Sequence, residues 1–470
     1  MSLKRNIIYN ILLTCSSYIS SLLVFPHVSR TLGPEHIGAV NYVDSLAQYG
    51  MLFSSLGILA LGTREVAAHR NNYDKLKEVF SSLLSIHIVF TIFVVLVYST
   101  IFILFLRDSI ALPLFVLSLI KLVFAPFLIE WLYRGVEKFD YICLRSFIVR
   151  ILFILFAFLL IQTREDAVVY YLLLVASYLI NCIVNISQGH KFVRFSYSSV
   201  KPFRYLRMYI SMGFFFILIS FYTTFNVTYL GMCCDNLEVG YYTTAIKIYT
   251  VILSIYTAFT GALLPRMSSY AEQNTHEKIR QLLNITIDAL LRFSIPCIVI
   301  SIYYSPEIVR VLAGADYESA ILPMRIVMSL VLIVGLSQAL AVQLLIPMRK
   351  EKSMIRITCS AAIVGVLLNL ILVPRYGAIG SACVLLVSEV VGVILYVCEA
   401  HRLNLYNIQW NRFIVSIAPA AVYSAICFLV SCIALSELQK GIIFLCCFSV
   451  AFVLFNHRLF SCLVQNFLRK

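Results

Sequence analysis

IVFTIFVVLVYSTIFILFLRDSIALPLFVLSLIKLVFAPFLIEW, from Ile88 to Trp131, carries only four charged residues: Arg107, Asp108, Lys121 and Glu130. The part from Ile88 to Leu106 has none. An uncharged run of this length crosses the roughly 30 Å hydrocarbon core as a helix, because a helix satisfies its own backbone hydrogen bonds where water is absent. The Arg107-Asp108 pair marks a turn at one membrane surface. The apolar run after it forms a second crossing with Lys121 near its middle.

The same pattern continues in both directions. Fourteen apolar stretches are expected as helices, at about 7–28, 37–60, 80–106, 111–133, 142–161, 167–187, 206–230, 239–264, 287–304, 321–346, 354–373, 378–400, 411–433 and 438–456. Composition agrees: 61% of the 470 residues are apolar, 13% are charged, and the mean hydropathy is +0.91. No soluble domain of ordinary size fits between the spans. The first run contains Asn10 and Thr14 and lacks a small-residue cleavage end, so it reads as the first span, not a removable signal peptide.

Basic residues give the orientation. The N-terminus, alternate loops with their edges, and the C-terminus hold 26 of the 37 Lys and Arg. The opposite loops hold single residues: Arg30, Arg107, Arg164, Arg310, Arg375 and Lys440. Positive residues are retained on the cytoplasmic side, so both termini of this multi-pass membrane protein are expected there. The net charge of +14 is spread over loops that face anionic lipid, and no nucleic-acid partner is needed to explain it. The fourteen cysteines lack the CxxC spacing of zinc or redox sites, and the eight histidines are dispersed. No metal and no cofactor is expected.

The long basic gap from His190 to Arg207 divides the first twelve spans into two sixes. The expected organisation is an N-lobe at 1–190, a cytoplasmic linker at 191–205, a C-lobe at 206–402, two further spans at 403–457 and an interfacial tail at 458–470. In the tail, Phe460, Leu463, Val464, Phe467 and Leu468 form one apolar stripe beside Arg458, Arg469 and Lys470. Asn274 with Glu277 reads as a helix cap before span nine. The two lobes carry related segments. RTLGPEHIGAVNY (Arg30 to Tyr42) joins spans one and two, and TYLGMCCDNLEVGYY (Thr228 to Tyr242) joins spans seven and eight. Each has Leu-Gly, then an aliphatic-Gly pair, then aromatic residues. Because both units begin on the same side, they read as parallel repeats, the organisation of transporters that rock two bundles about a central site.

Polar residues point to such a site. Asn10, Thr14, Ser17 and Ser21 form a stripe on span one; Asn41, Ser45 and Gln48, with Asp44 beside them, form one on span two. Span seven offers Ser220, Thr224 and Thr228, and span eight Thr243, Lys247, Thr250, Ser254 and Thr257. At about 100° per residue each set lies on one face. Single stripes of this kind also serve ordinary helix packing, but four on repeat-related spans favour a water-filled cavity. An ammonium facing lipid costs several kcal/mol, so Lys121 and Lys247 should meet a cavity or a carboxylate, with Asp44, Glu130, Asp288 and Glu389 available. Lys121 and Glu130 are nine residues apart, on opposite sides of a straight helix, and would meet only if Pro126 rotates the turn between them. Arg30 and Arg325 lie nearer the outer surface; Arg150 and Arg292 lie nearer the inner one. A cavity of cations and hydroxyls suits an anionic, hydroxyl-rich substrate such as a sugar phosphate. Pro26, Pro113, Pro126, Pro265, Pro296, Pro323 and Pro347 supply bends within spans.

The chain resembles the bacterial flippases for lipid-linked oligosaccharide repeat units of O-antigen and capsule, within the multidrug, oligosaccharidyl-lipid and polysaccharide exporter superfamily. The segments that carry the resemblance are LGPEHIG (Leu32 to Gly38), GTREVA (Gly62 to Ala67), EWLYRGVEKFDYICLRS (Glu130 to Ser146), VGYYTTAIKI (Val239 to Ile248), LLPRMS (Leu263 to Ser268), QLLIPMRKEK (Gln343 to Lys352) and VPRYGAIGSACVLLVSE (Val373 to Glu389). The resemblance implies an all-α polytopic fold with two MATE-like six-helix lobes around a central cavity, plus two C-terminal helices. It also implies a place in the bacterial inner membrane and export of undecaprenyl-pyrophosphate-linked glycan from its inner to its outer leaflet, with counter-ion drive in some relatives. Lys247 lies within one of the matching segments.

The resulting expectation is alternating access, for O-antigen, capsule or exopolysaccharide synthesis. Lys247, Lys121, Arg325, Arg30, Thr243, Thr250, Ser254, Asn41, Ser45, Gln48, Asn10 and Thr14 are the candidate cavity residues, with Tyr241, Tyr242 and Tyr249 placed to stack on sugars. Asp44, Glu130 and Glu389 are the candidates for coupling to H+ or Na+. Expected partners are the lipid-linked oligosaccharide and membrane lipids, and, from the resemblance alone, a glycan polymerase and an initiating transferase. Two alternatives compete. Export of drugs or organic ions by the same architecture would favour an acidic cavity. A membrane polymerase or ligase would need a large outer loop, whereas the longest expected one, Ser305 to Ala320, is short and no Asp-x-Asp motif occurs.

Overall fold

The computed structural model describes residues 3–273, 275–404, 419 and 421–427. It shows helices α1 (Leu3–Ser55), α2 (Ile58–His69), α3 (Tyr73–Ile101), α4 (Leu112–Val123), α5 (Glu130–Gly135), α6 (Phe139–Leu160) and α7 (Ala167–Gly189). They are followed by α8 (Pro202–Thr223), α9 (Phe225–Cys233), α10 (Asn236–Glu272), α11 (His276–Leu312), α12 (Ile321–Met328), α13 (Leu330–Leu340) and α14 (Glu351–Arg402). Among the described residues there is no strand. The expected spans thirteen and fourteen, the tail after residue 457, the Asn274 cap and the Asn10 side chain lie outside what is described.

Among the described residues, eight helical stretches are long and apolar enough to cross a membrane, and nine if α4 and α5, bent by 50°, count as one. The sequence predicts more crossings because two of these stretches each hold two expected spans, span seven falls on α8 and α9, which are not among them, and spans thirteen and fourteen lie outside the described residues. Within α1 the helix is interrupted at Gly33 (φ 78°, ψ 171°), and within α14 at Gly377 (φ 51°, ψ −126°). A side chain would strain both conformations, so glycine sets the turn between paired spans there. Pro34 and Pro374 lie beside the two breaks.

The outer faces show why these helices belong in lipid. On α3, Val89, Ile92, Phe93 and Leu96 are exposed and follow helical spacing, while Leu76, Val79, Leu83 and Ile86 on the other face are buried. An apolar exposed face is the reverse of a soluble protein's pattern and fits a hydrocarbon surround.

The described chain packs as two compact units. The first holds Met1–Thr244, Val311–Tyr317 and Gly365–Ser381; the second holds Ala245–Arg310, Glu318–Val364 and Ala382–Lys470. The core of the first unit gathers Leu61, Leu83, Trp131, Leu132, Tyr133 and Tyr209. The core of the second gathers Tyr256, Leu283, Leu290, Leu291, Leu340 and Tyr396. In the first, α2 and α5 approach until a Cβ added at Gly62 would lie 2.7 Å from the Trp131 ring. Gly62→Val is therefore expected to destabilise the protein by about 1–3 kcal/mol through overpacking. Thermal unfolding in detergent tests this; an unchanged midpoint would show that Trp131 moves aside freely.

Candidate polar cavity of the first unit

The second half of α1 carries Asp44 into the helix bundle, and α4 brings Lys121 to it. The Lys121 ammonium donates to Asp44 Oδ1 at 2.5 Å, and the two side chains are only 12% and 19% exposed. Tyr171 of α7 donates to the same oxygen at 3.2 Å, and Gln48, one turn on, donates to Oδ2 at 2.9 Å. Three donors around one carboxylate offset the cost of placing it in a membrane helix.

One turn beyond Lys121, the span breaks. Residues Ala125–Leu128 form a 3-10 turn with Pro126 at its start, and Ile129 adopts φ 33°. Backbone carbonyls freed by such a break need partners in lipid, and α7 supplies them. Asn185 donates from its amide to the Leu128 carbonyl, and Cys182 Sγ contacts the Phe124 carbonyl at 3.5 Å. Arg145 of α6 locks the arrangement: its guanidinium donates to Asn185 Oδ1 and, at 2.7 Å, to Glu130 Oε1. Arg134 lies 3.6 Å from the other Glu130 oxygen. Lys121 and Glu130 thus take separate partners, Asp44 and Arg145, in agreement with their opposite placement along the sequence.

These ion pairs border two cavities. One, of about 360 Å³, is lined by Asp44, Lys121, Glu130, Arg145, Arg150 and Tyr178. The other, of about 950 Å³, is lined by Gln48, Arg64, His87, Glu130, Arg134 and Tyr178 among apolar residues. Glu130, Leu128 and Tyr178 line both. The larger space has cations, hydroxyls and an amide at its wall, and can hold an amphiphilic anion.

The hydroxyl stripes partly converge. Asn41 of α1 donates to Thr243 of α10 at 2.8 Å, and Thr228 of α9 donates to Ser45 of α1 at 2.9 Å. Asn226 and Asn369 pair at 2.6 Å nearby in the chain fold, with Asn226 also donating to Tyr242. The other expected residues are placed differently. Thr14 is exposed on α1. Thr250 and Ser254 return their hydroxyls to the Lys247 and Val251 carbonyls of their own helix. Lys247 lies in the second unit, whereas Lys121 lies in the first. Arg325 donates to Ser305 at 2.6 Å within the second unit, where Glu389 is buried beside Ser337. Arg30 donates to the Val311 carbonyl. Arg150 donates to the Leu13 carbonyl at 2.8 Å and to Ser16. Among the described residues no group of His, Cys, Asp and Glu is arranged for a metal.

Sequence reasoning did not single out Arg64, His87, Arg134 or Arg145. Arg145 is 4% exposed at its side chain, and neither ring nitrogen of buried His87 has a hydrogen-bond partner. The usable signal was an ionisable residue a few positions inside an apolar run, at positions 87 and 145 alike.

This arrangement of bundled, glycine-broken helices around a polar cavity defines a polytopic, all-α membrane protein. By structure the chain is similar to "Lipid II flippase MurJ, inward closed conformation", with TM-score 0.76 and 13% identity over 98% of this chain and 100% of that one. It is also similar to the inward-facing form of a multidrug resistance MATE family transporter, with TM-score 0.66 and 13% identity over 90% and 96%. Residues 3–271 match the family described as "Polysaccharide biosynthesis protein", and the chain belongs to that family. The "Putative O-antigen transporter" of Escherichia coli (strain K12) is 24% identical over 435 residues, covering 88% of this chain and 99% of that protein. The "Probable low-salt glycan biosynthesis flippase Agl15" of Haloferax volcanii is 24% identical over 259 residues, covering 53% and 51%.

Proposed function

We propose that the protein flips an undecaprenyl-pyrophosphate-linked oligosaccharide repeat unit across the bacterial inner membrane by alternating access, with both termini in the cytoplasm. The observation that carries this reading is the cavity of about 950 Å³, inside a membrane-spanning unit, walled by Arg64, Arg134, Gln48 and hydroxyl groups. Guanidinium groups recognise phosphate through several directed donors, and they do so more strongly where water is scarce. Hydroxyl and amide groups accept sugars of varied sequence. The names of the relatives support the same substrate class.

In this mechanism the diphosphate meets Arg64 and Arg134 at the wall of the larger cavity, with Lys121 at the wall of the smaller one, while the polyprenyl tail stays in lipid. Asp44, Glu130 and Glu389 are the carboxylates through which a proton or sodium gradient would drive the return step. A glycan polymerase and an initiating transferase are the proposed neighbours.

The deciding experiment is complementation in cells that lack their own repeat-unit flippase. Lipid-linked oligosaccharide is expected to reach the outer leaflet, and Arg64→Ala, which removes a guanidinium from the wall of the larger cavity, is expected to reduce this at least 10-fold at equal insertion. Absence of flipping in reconstituted vesicles holding the native lipid-linked glycan, under either an imposed proton or an imposed sodium gradient, would overturn the proposal.

A further inference from the structure

The two limbs of α14, on either side of the break at Gly377, pack against each other in the second unit. Thr358 and Tyr396 are hydrogen-bonded at 3.4 Å, and a Cβ added at Gly392 would lie 3.9 Å from that of Ala361. Where the first limb begins and the second ends, Ser353 donates to Glu399 Oε1 at 2.5 Å. A small cavity of about 220 Å³ opens there, lined by Ser353, Arg356, Ser360, Cys398, Glu399 and Arg402. It shares no lining residue with the two cavities that border the Asp44 and Glu130 ion pairs. Ligand sites commonly enclose roughly 300–1,000 Å³, so this one suits a headgroup and not a whole repeat unit.

The charges at the cavity are unequal. Glu399 is held inside, with its side chain 12% exposed, whereas those of Arg356 and Arg402 are 65% and 71% exposed. Arg356 lies 3.4 Å from one Glu399 oxygen and Arg402 lies 3.6 Å from the other. Arg356 reaches both Glu399 and, at 3.2 Å, Ser353 through Nη2. A guanidinium carries five N–H donors in a fixed fork, and contacts this long occupy few of them. Glu399 therefore orients two guanidiniums without matching their charge, and the pair retains donors for a second anion.

Both limbs run from this charged end into an apolar surface. Arg356, Ser360 and Ile363 follow i, i+4, i+7, and Ile394, Cys398 and Arg402 follow i, i+4, i+8, so each set lies on one helix face. Ile363 and Ile394 are both exposed. The sequence at this end carries Arg349, Lys350, Lys352, Arg356 and Arg402, whereas Arg375 is the single basic residue beside the Gly377 break. Retention of basic residues on the cytoplasmic side places the cavity at the inner leaflet, whose anionic lipids attract such residues.

We infer that Arg356 and Arg402 hold the phosphate of an anionic phospholipid of the inner leaflet, with its acyl chains lying along Ile363 and Ile394. An ion cluster that serves only to join the two limbs is the competing explanation. It would leave the reactivity of Cys398 independent of lipid charge.

Cys398 is exposed at the wall of the cavity and serves as a native reporter. The purified full chain in a neutral detergent is treated with a maleimide, and alkylation is followed by peptide mass, with the exposed Cys233 of the first unit as internal reference. Phosphatidylglycerol added to the micelles is expected to slow Cys398 about 5-fold relative to Cys233, and phosphatidylcholine to leave the ratio unchanged. Each arginine beside an anionic lipid surface is worth about 5-fold in affinity, so Arg402→Gln should raise the lipid content that half-protects Cys398 by about that factor. Arg356→Gln with Glu399→Gln and Arg402→Gln removes both cations without stranding the carboxylate, and should abolish protection. If that triple variant fails to fold, Arg402→Gln decides alone. Absence of protection by phosphatidylglycerol, equal protection by both lipids, or protection unchanged in Arg402→Gln would overturn the lipid site. Protection by glycerol 3-phosphate, which has no acyl chains, would overturn it too and assign the cavity to a soluble phosphate. Labelling involves no transport, so the outcome is independent of the substrate proposed above.

Discussion

Lys121→Met is expected to destabilise the protein by about 3–5 kcal/mol, the cost of leaving one member of a buried ion pair without its partner. Asp44 would keep the donors from Tyr171 at 3.2 Å and Gln48 at 2.9 Å, and these are neutral groups. They can orient the carboxylate but cannot balance its charge. Asp44→Asn combined with Lys121→Met removes both charges while preserving shape, and the double variant should recover most of the lost stability, since neutral replacement of a buried pair is often close to neutral in energy. Unfolding of the purified protein in detergent measures both effects. Equal midpoints for the native protein and Lys121→Met would mean that water reaches the pair and screens it. Transport separates structure from function: the double variant, stable again, is expected to remain at least 10-fold impaired if the pair also serves substrate binding or ion coupling.

The need of Lys121 for a cavity or a carboxylate was legible in the sequence, whereas the choice of Asp44 over Glu130, Asp288 and Glu389 was not. An ammonium in the middle of span four required either a cavity or a carboxylate, and few carboxylates lie at membrane depth. Asp44 lies within one apolar run and Lys121 within another. The span pattern was legible for the same reason, because hydropathy alone governs which segments enter lipid. The Asn41–Thr243 and Ser45–Thr228 contacts also follow from the stripes on spans two, seven and eight. Other stripe members did not: Thr250 and Ser254 satisfy themselves on their own helix. A hydroxyl that bonds back to a preceding carbonyl and one that faces a cavity obey the same spacing, so periodicity cannot distinguish them.

The break between Phe124 and Glu130 was less legible. Pro126 announces a bend, but proline alone does not say whether the helix kinks or unwinds. The outcome depends on whether neighbouring side chains can satisfy the freed carbonyls. Here Asn185, fifty-seven residues from Leu128, provides that partner, and Arg145 fixes Asn185. Such a relation is tertiary, and nothing in the local sequence near Pro126 encodes it. Gly38 and Gly240 stand between these cases. Their repeat is visible in the sequence, but their reciprocal approach, in which a Cβ at Gly38 would meet the Asn236 carbonyl and one at Gly240 the Pro34 carbonyl, becomes clear only when both segments are placed together.

Arg145→Leu is expected to destabilise the protein by about 3–5 kcal/mol, as its guanidinium holds three groups at once. It donates to Asn185, to Glu130 at 2.7 Å and to Ser146 at 3.1 Å. Removing it leaves Glu130 with only the longer contact to Arg134, 3.6 Å away, and removes the restraint on the Asn185 amide that caps the Leu128 carbonyl. Cost therefore arises twice, from a carboxylate stripped of its closest cation and from a backbone carbonyl in lipid whose donor is free to turn. Arg145→Lys tests the geometry: an ammonium retains the charge but not the planar fork that reaches two acceptors in fixed directions. This variant should recover part of the stability and not all of it. Unfolding midpoints of the two variants, compared with those of Glu130→Gln and of Arg145→Leu with Glu130→Gln, separate the ionic part from the fork. If Arg145→Lys matched the native protein, charge alone would suffice and the clamp on Asn185 would be dispensable. If it unfolded as readily as Arg145→Leu, directed hydrogen bonding would be the dominant contribution. Because Glu130 also lines both cavities, the same substitutions alter the wall of the proposed substrate site, and loss of transport in Arg145→Lys beyond its loss of stability would tie the clamp to the transport cycle.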